Sequence, residues 1–232
     1  MNRSEEERIR GVYSYYDATA SEQRKRDKAN PGNVRNTAER LRVFAAMLAA
    51  LPVPLEQARI LDVGCGRGDL LAWLRAQGAS APNLAGVDLL ESRVAEARAA
   101  YPEIRFEAAN AESLPFPSGS FDAAACTTLF SSILDADVAG QVAAEVSRVL
   151  APRSAILWYD LRYPNPSNPN VRGVRASEIA RLFPGFRLDL RSATLLPPLA
   201  RRLGNFGALH CALAALPPLR SHLVGVLVRD AI

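Results

Sequence analysis

Ile60-Leu61-Asp62-Val63-Gly64-Cys65-Gly66-Arg67-Gly68-Asp69 is the stretch that decides the fold. Residues 59–63 read as a buried strand. Glycines at 64, 66 and 68 follow it, and without a Cβ they let the backbone turn sharply and come close to a ligand. A helix predicted over 69–77, closed by Gly78, begins at once, so its free N–H groups face whatever lies at the turn. In an open parallel sheet, ligands bind beyond the carboxyl ends of the strands, where this turn sits.

On the C-terminal side, short apolar runs alternate with amphipathic segments. Strands are expected at 84–88, 104–107, 121–127 and 154–160, with helices at 91–100 and 138–150. That alternation implies an α/β, Rossmann-like doubly wound fold, a mostly parallel sheet with helices on both faces. After Pro164 come a proline- and asparagine-rich loop, a short helix near 177–183, a strand over 186–195, a helical 198–216 and a last strand at 223–229. On the N-terminal side, 3–16 and 35–51 read as helices, and Asn30-Pro31-Gly32-Asn33 between them reads as a turn. Residues 1–54 are expected to form a helical cap on a core over 55–232, within one domain overall.

Three further elements belong to the same crevice. Gly86-Val87-Asp88-Leu89 ends the second strand, with Asp88 placed 22 residues beyond Gly66 to accept ribose hydroxyls. Asn110-Ala111-Glu112 follows the third strand, where Asn110 or Glu112 suits an adenine edge and Leu89 and Leu114 its faces. Cys126-Thr127-Thr128-Leu129-Phe130 closes the fourth. The glycine spacing is G-x-G-x-G, where a dinucleotide turn has G-x-G-x-x-G. Asp62, two residues ahead of the first glycine, would repel a pyrophosphate. It suits the ammonium and sulfonium of S-adenosylmethionine.

With these elements in order, residues 55–160 resemble the class I S-adenosylmethionine-dependent methyltransferases, particularly small ubiquinone-biosynthesis-like enzymes. The resemblance implies a seven-stranded sheet whose last strand, 223–229, is inserted antiparallel. It implies that Asp62, Gly64, Cys65 and Gly66 bind the cofactor with Asp88, Leu89, Asn110, Ala111, Glu112 and Cys126. Asn110 stands where the family commonly has aspartate. The demethylated product would be S-adenosylhomocysteine.

Methyl transfer from a sulfonium is an in-line displacement, so binding, alignment and exclusion of water carry it, and a base is needed only for an acceptor that must lose a proton. Asp160, at the fifth strand's end, is the first candidate for that role. Tyr15 and Tyr16, in the cluster Tyr13-Tyr15-Tyr16-Asp17 of the cap, are candidates for a lid that touches substrate. Arg162, Arg172 and Arg175 are candidates for an acidic acceptor. His210 reads as a core histidine and His222 as a strand-edge residue. The expected acceptor is a small molecule, such as a sugar or a natural-product intermediate. Two other readings are a nucleotide-dependent oxidoreductase or epimerase on a related fold, and a non-catalytic methyltransferase-like binding protein.

Composition narrows the partners. The chain has 232 residues and a formal net charge of +4, carried by scattered arginines. The one basic cluster, Arg24, Lys25, Arg26 and Lys28, is interrupted by Asp27, so nucleic acid is not an expected partner. Three widely spaced cysteines and two histidines give no metal-ligand pattern, and a reduced, cytoplasmic protein is expected. The charged N-terminus has no apolar leader pattern. The apolar stretch from 203 to 228 is broken by Pro217-Pro218, Arg220 and His222 before the ~20 residues of a membrane span. A monomer or a homodimer is expected.

Overall fold

The structure is a computed structural model that describes residues 4–25 and 27–229. Arg26 of the basic cluster and the first three residues of the charged N-terminus lie outside the described residues. Seven strands form one sheet: β1 (Ile60–Val63), β2 (Leu84–Asp88), β3 (Arg105–Ala108), β4 (Phe121–Thr127), β5 (Leu150–Leu161), β6 (Arg187–Leu195) and β7 (Arg220–Arg229). Their order is β3-β2-β1-β4-β5-β7-β6. The first five pair in parallel, and β7 runs antiparallel to both β5 and β6.

The core explains the order. All four β1 side chains are buried, as a central strand covered on both faces requires. Leu61, Val63, Ala124, Ile156 and Trp158 face one layer, with α6 (Ala136–Val149) and α7 (Ala176–Leu182). Ile60, Ala123, Ala125, Leu157 and Val226 face the other, with α3 (Pro31–Met47), α4 (Asp69–Ala76) and α5 (Glu91–Ala100). Period-two alternation thus sorts each strand's residues between two hydrophobic layers.

α1 (Glu5–Ala18) and α2 (Ala20–Lys25) precede α3. Two expectations change here. The Asn30-Pro31-Gly32-Asn33 segment starts α3: the Asn30 side chain accepts from the Gly32 and Asn33 N–H groups, and Pro31 takes the first turn, where its missing N–H costs nothing. The segment 198–216 is two helices, α8 (Pro197–Leu203) and α9 (Gly207–Ala214), because Gly204 ends the first at φ 50°. Both lie between β6 and β7, on the edge of the sheet where the parallel strands end. Gly32 of α3 sits against the Ala200 carbonyl of α8, where a Cβ would come within 2.1 Å of the oxygen.

Candidate functional site

The turn between β1 and α4 is held from β2. The Gly64 and Cys65 N–H groups both donate to the Val87 carbonyl, at 2.8 and 2.9 Å. The Gly66 N–H donates to Asp88 Oδ2 at 2.8 Å, and Asp88 Oδ1 accepts from the Leu90 N–H at 3.0 Å. Gly66 and Gly68 take φ of 54° and 83°. At Gly68 a Cβ would fall 2.7 Å from the Phe106 ring, so the turn is packed to its limit there. At Gly66 it would meet no protein atom within 4 Å, which leaves that face of the turn open to a ligand.

A cavity of ≈ 540 Å³ opens at this point. Asp62, Gly64, Cys65, Gly66, Asp88 and Leu89 line it, and Asn110, Ala111 and Glu112 line it from the end of β3. Asp62 is buried and its Oδ1 has no hydrogen-bond partner. Burial first, then the nearby Asp88 charge, push its carboxyl up to about 7, with Arg40 acting the other way. Burial likewise pushes the Cys65 thiol well up, against a reactive role. Asn110 is held within the wall: its Nδ2 donates to Glu6 Oε2 and Glu112 Oε1, both at 3.0 Å.

α1 closes the cavity with Glu5, Glu6, Ile9, Tyr13 and Tyr16. Ile9, Tyr13 and Tyr16 are spaced by four and three residues and so share one helix face. Tyr15 falls on the other face, is 59% exposed and does not line the cavity. The Tyr13 hydroxyl is 2.9 Å from Ser132 Oγ, and the Arg93 guanidinium lies 4.6 Å over its ring. Arg93 also grips Asp17 through both carboxylate oxygens at 2.9 Å. Tyr16 donates to Asn168 Oδ1 at 2.9 Å.

Several sequence expectations are corrected. Asp160 is fully buried and does not line the cavity. Its Oδ2 accepts from the Ser131 N–H at 3.0 Å and its Oδ1 from the Leu161 N–H at 2.8 Å, fixing the 3₁₀ turn over Phe130–Ser132. Burial raises its carboxyl to about 6 against those hydrogen bonds. Cys126 is fully buried in the core, and it is Thr127 and Thr128 beyond it that reach the cavity. Arg162 and Arg175 line a separate depression, with Arg162 stacked 4.4 Å over Tyr163. Arg172 donates to the Ile133 carbonyl at 2.6 Å and pairs with Glu178 at 2.7 Å. None of these arginines reaches the main cavity. His222 is buried, stacked 4.3 Å on Tyr159.

Sequence reasoning missed Arg40 and Ser132, and held Tyr13 only as a member of the cap's tyrosine cluster. Arg40 of α3 lines the cavity, its guanidinium 5.3 Å over the Tyr159 ring and its buried Nε without a hydrogen-bond partner. Nothing in the α3 sequence distinguishes it from Arg35 or Arg42, because only the packing of α3 on β5 and β7 aims it. Thr128, with φ 52°, turns the chain from β4 into the 3₁₀ turn and places Leu129 and Ser132 in the wall.

Residues 60–153 match a family described as a methyltransferase domain. A demethylmenaquinone methyltransferase of Thermus thermophilus is 37% identical over 125 residues, which are 50% of this chain and 53% of that protein. An O-methyltransferase of Penicillium expansum is 32% identical over 159 residues, 65% of this chain and 53% of that protein. The chain thus spans about half the length of these curated relatives. The Burkholderia thailandensis 1,6-didemethyltoxoflavin-N1-methyltransferase, solved with 1,6-didemethyltoxoflavin and S-adenosylhomocysteine, superposes with a TM-score of 0.67 at 19% identity, covering 99% of this chain and 92% of that one. A [4+2]-cyclase superposes with a TM-score of 0.61 at 18% identity, covering 82% and 81%, so the fold alone does not fix a reaction.

The site itself suits S-adenosylmethionine. An orphaned buried carboxylate oxygen at Asp62 calls for a cationic donor, the open side of Gly66 admits a ligand against the backbone, and Asp88 retains lone pairs for hydroxyl groups. Asp62, Gly66 and Asp88 all fall within residues 60–153, the stretch that matches the methyltransferase domain family.

Proposed function

We propose that the chain transfers a methyl group from S-adenosylmethionine to a small-molecule acceptor, as a cytoplasmic enzyme. The observation that carries this reading is the buried, unpartnered Asp62 Oδ1 in the cavity wall beside the glycine turn. Bound there, S-adenosylmethionine supplies a methyl group on a sulfonium centre, already a good leaving group.

The chain's own residues bind, orient and exclude water. Asp62 accepts the ammonium of the donor, and Arg40 takes its carboxylate. Asp88 accepts the ribose hydroxyls while still holding the Gly66 and Leu90 N–H groups. Ala111, Val138 and Val142 offer apolar surface to the adenine, and α1 covers the cavity. The acceptor lies against Tyr13, Tyr16, Thr128 and Ser132, polar residues of the wall that the donor leaves free. With Asp160 committed to backbone N–H groups and no histidine in the wall among the described residues, acceptors with an acidic hydroxyl, amine or carbon suit the site best.

Calorimetry with S-adenosylhomocysteine tests the binding half, and mass spectrometry of acceptor panels with S-adenosylmethionine tests the transfer. Saturable, one-to-one binding with a mass gain of one methyl is expected. Binding with no methylated product from any panel leaves a non-catalytic binding protein. No binding by folded protein removes both.

A further inference from the structure

We propose that the α8–α9 face docks on an anionic lipid bilayer. A helix that is apolar on every side is ordinarily buried. α9, Gly-Ala-Leu-His-Cys-Ala-Leu-Ala, carries no charged residue, yet His210 is its one buried side chain. Leu209 is 49% exposed, and Phe206 and Leu216, just outside its two ends, are 72% and 50% exposed. Val34 of α3, one residue before Arg35, whose guanidinium lies beside Gly207, is also 50% exposed. Such a cluster is costly in water and has no cover within the described residues.

Charge selects the occupant. From residue 196 to 220 the chain has three arginines and no aspartate or glutamate. Arg201 and Arg202 end α8, and Arg220 follows α9. Arg35 and Arg220 donate to backbone carbonyls, of Gly204 and of Ala214 and Ala215, and none of these four arginines forms an ion pair among the described residues. The neighbouring carboxylates are few: Glu22 lies towards Arg201, and Glu39 accepts from the Thr194 N–H. An apolar projection rimmed by arginines fits the boundary between acyl chains and anionic headgroups. A second copy of the same face would bring arginine against arginine. The described helices are too short or too polar to span a bilayer, so the contact is peripheral. It lies on the edge of the sheet that holds the cavity, since β6 ends and β7 begins there.

Flotation of the whole chain with vesicles tests this, using phosphatidylcholine alone and phosphatidylcholine mixed with phosphatidylglycerol. Association with the anionic vesicles only, weakening as salt rises, is expected. The double substitution Phe206→Ser, Leu209→Ser should lower vesicle partition at least about tenfold. Arg202→Ala should lower it about fivefold. Both variants alter exposed side chains and should keep the S-adenosylhomocysteine affinity of the parent, which separates lost docking from lost fold. The proposal is overturned by a parent chain that ignores anionic vesicles at low salt, or by variants that float as the parent does. Self-association in sedimentation velocity that the double substitution abolishes would overturn it equally, by making the face a dimer contact.

Discussion

Asp62 is a carboxylate whose environment disfavours its own charge. Burial and the Asp88 charge together raise its carboxyl to about 7. A donor with an ammonium group reverses that balance, so binding should displace the proton held below that pH. The affinity for S-adenosylhomocysteine should therefore rise with pH up to about 7, by at most ~tenfold per unit, and level off above it. Asp62→Asn should bind about thirtyfold more weakly at pH 8, for the loss of ~2 kcal/mol of charge-assisted hydrogen bonding, with no pH slope near 7. Calorimetry from pH 6 to 8 checks both; a variant that keeps the parent's slope removes Asp62 from the site. Asp88 differs, because its oxygens already hold the turn from Gly66 to Leu90. Asp88→Ala frees two N–H groups and removes the ribose acceptor together, so a loss of about a hundredfold in affinity is expected, with some loss of thermal stability. Unchanged affinity in a folded Asp88→Ala variant would contradict its role.

At the scale of elements, the N-terminal helix is the part of the site held least by packing. α1 has no fully buried residue: Ile9 packs at the edge of the core, and the other attachments are polar, among them Tyr13 to Ser132, Tyr16 to Asn168, and Asp17 to Arg93. Arg93→Ala removes the bidentate grip on Asp17 and the cation above Tyr13 at once. Amide exchange over residues 5–18 should accelerate about fivefold, for ~1 kcal/mol of lost anchoring. The global melting temperature should hardly move, because the sheet layers are untouched. Exchange that accelerates everywhere would mean that α1 belongs to the cooperative core. The same contrast governs what the sequence discloses. β1, α4 and β2 are legible because burial on both faces, glycine and turn chemistry act within a few residues. The acids at 62 and 88 follow from that local frame. Asp160 and the three arginines lie away from the cavity because strand-end direction and loop course are set by pairing across distant segments. Asp160 needed Ser131, 29 positions away, to explain its burial. Tyr13, not Tyr15, faces inward by helical spacing, which the sequence does hold once α1 is known to lie on the cavity. Arg40 could not be read at all, since its reach depends on how α3 crosses β5 and β7.

Across the whole molecule, three buried titratable groups make stability depend on pH in opposite directions. His222 sits between Ser221 and the Tyr159 ring, and burial lowers it from its ordinary 6.5 to about 3. Its folded form resists protonation, so its contribution to stability is complete above 6.5 and is lost as pH falls from there towards 3. Asp62 and Asp160 have the contrary sign: raised from 3.8 to about 7 and about 6, they favour the folded chain more as pH falls, with the full effect reached below 3.8. By pH 5 the His222 loss is about 2 kcal/mol, and the two carboxyl gains, about 4 kcal/mol together, exceed it. The parent chain should therefore melt somewhat higher at pH 5 than at pH 7. His222→Gln loses the stacking on Tyr159 and should melt lower at pH 7, yet its melting temperature should climb more steeply than the parent's on acidification to pH 5, because the opposing His222 contribution is gone. Scanning fluorimetry over that range, without added ligand, reads the difference in slope independently of the difference in height. Parallel curves for the two proteins would mean that His222 titrates in the folded chain as it does in water, which its burial between β5 and β6 forbids.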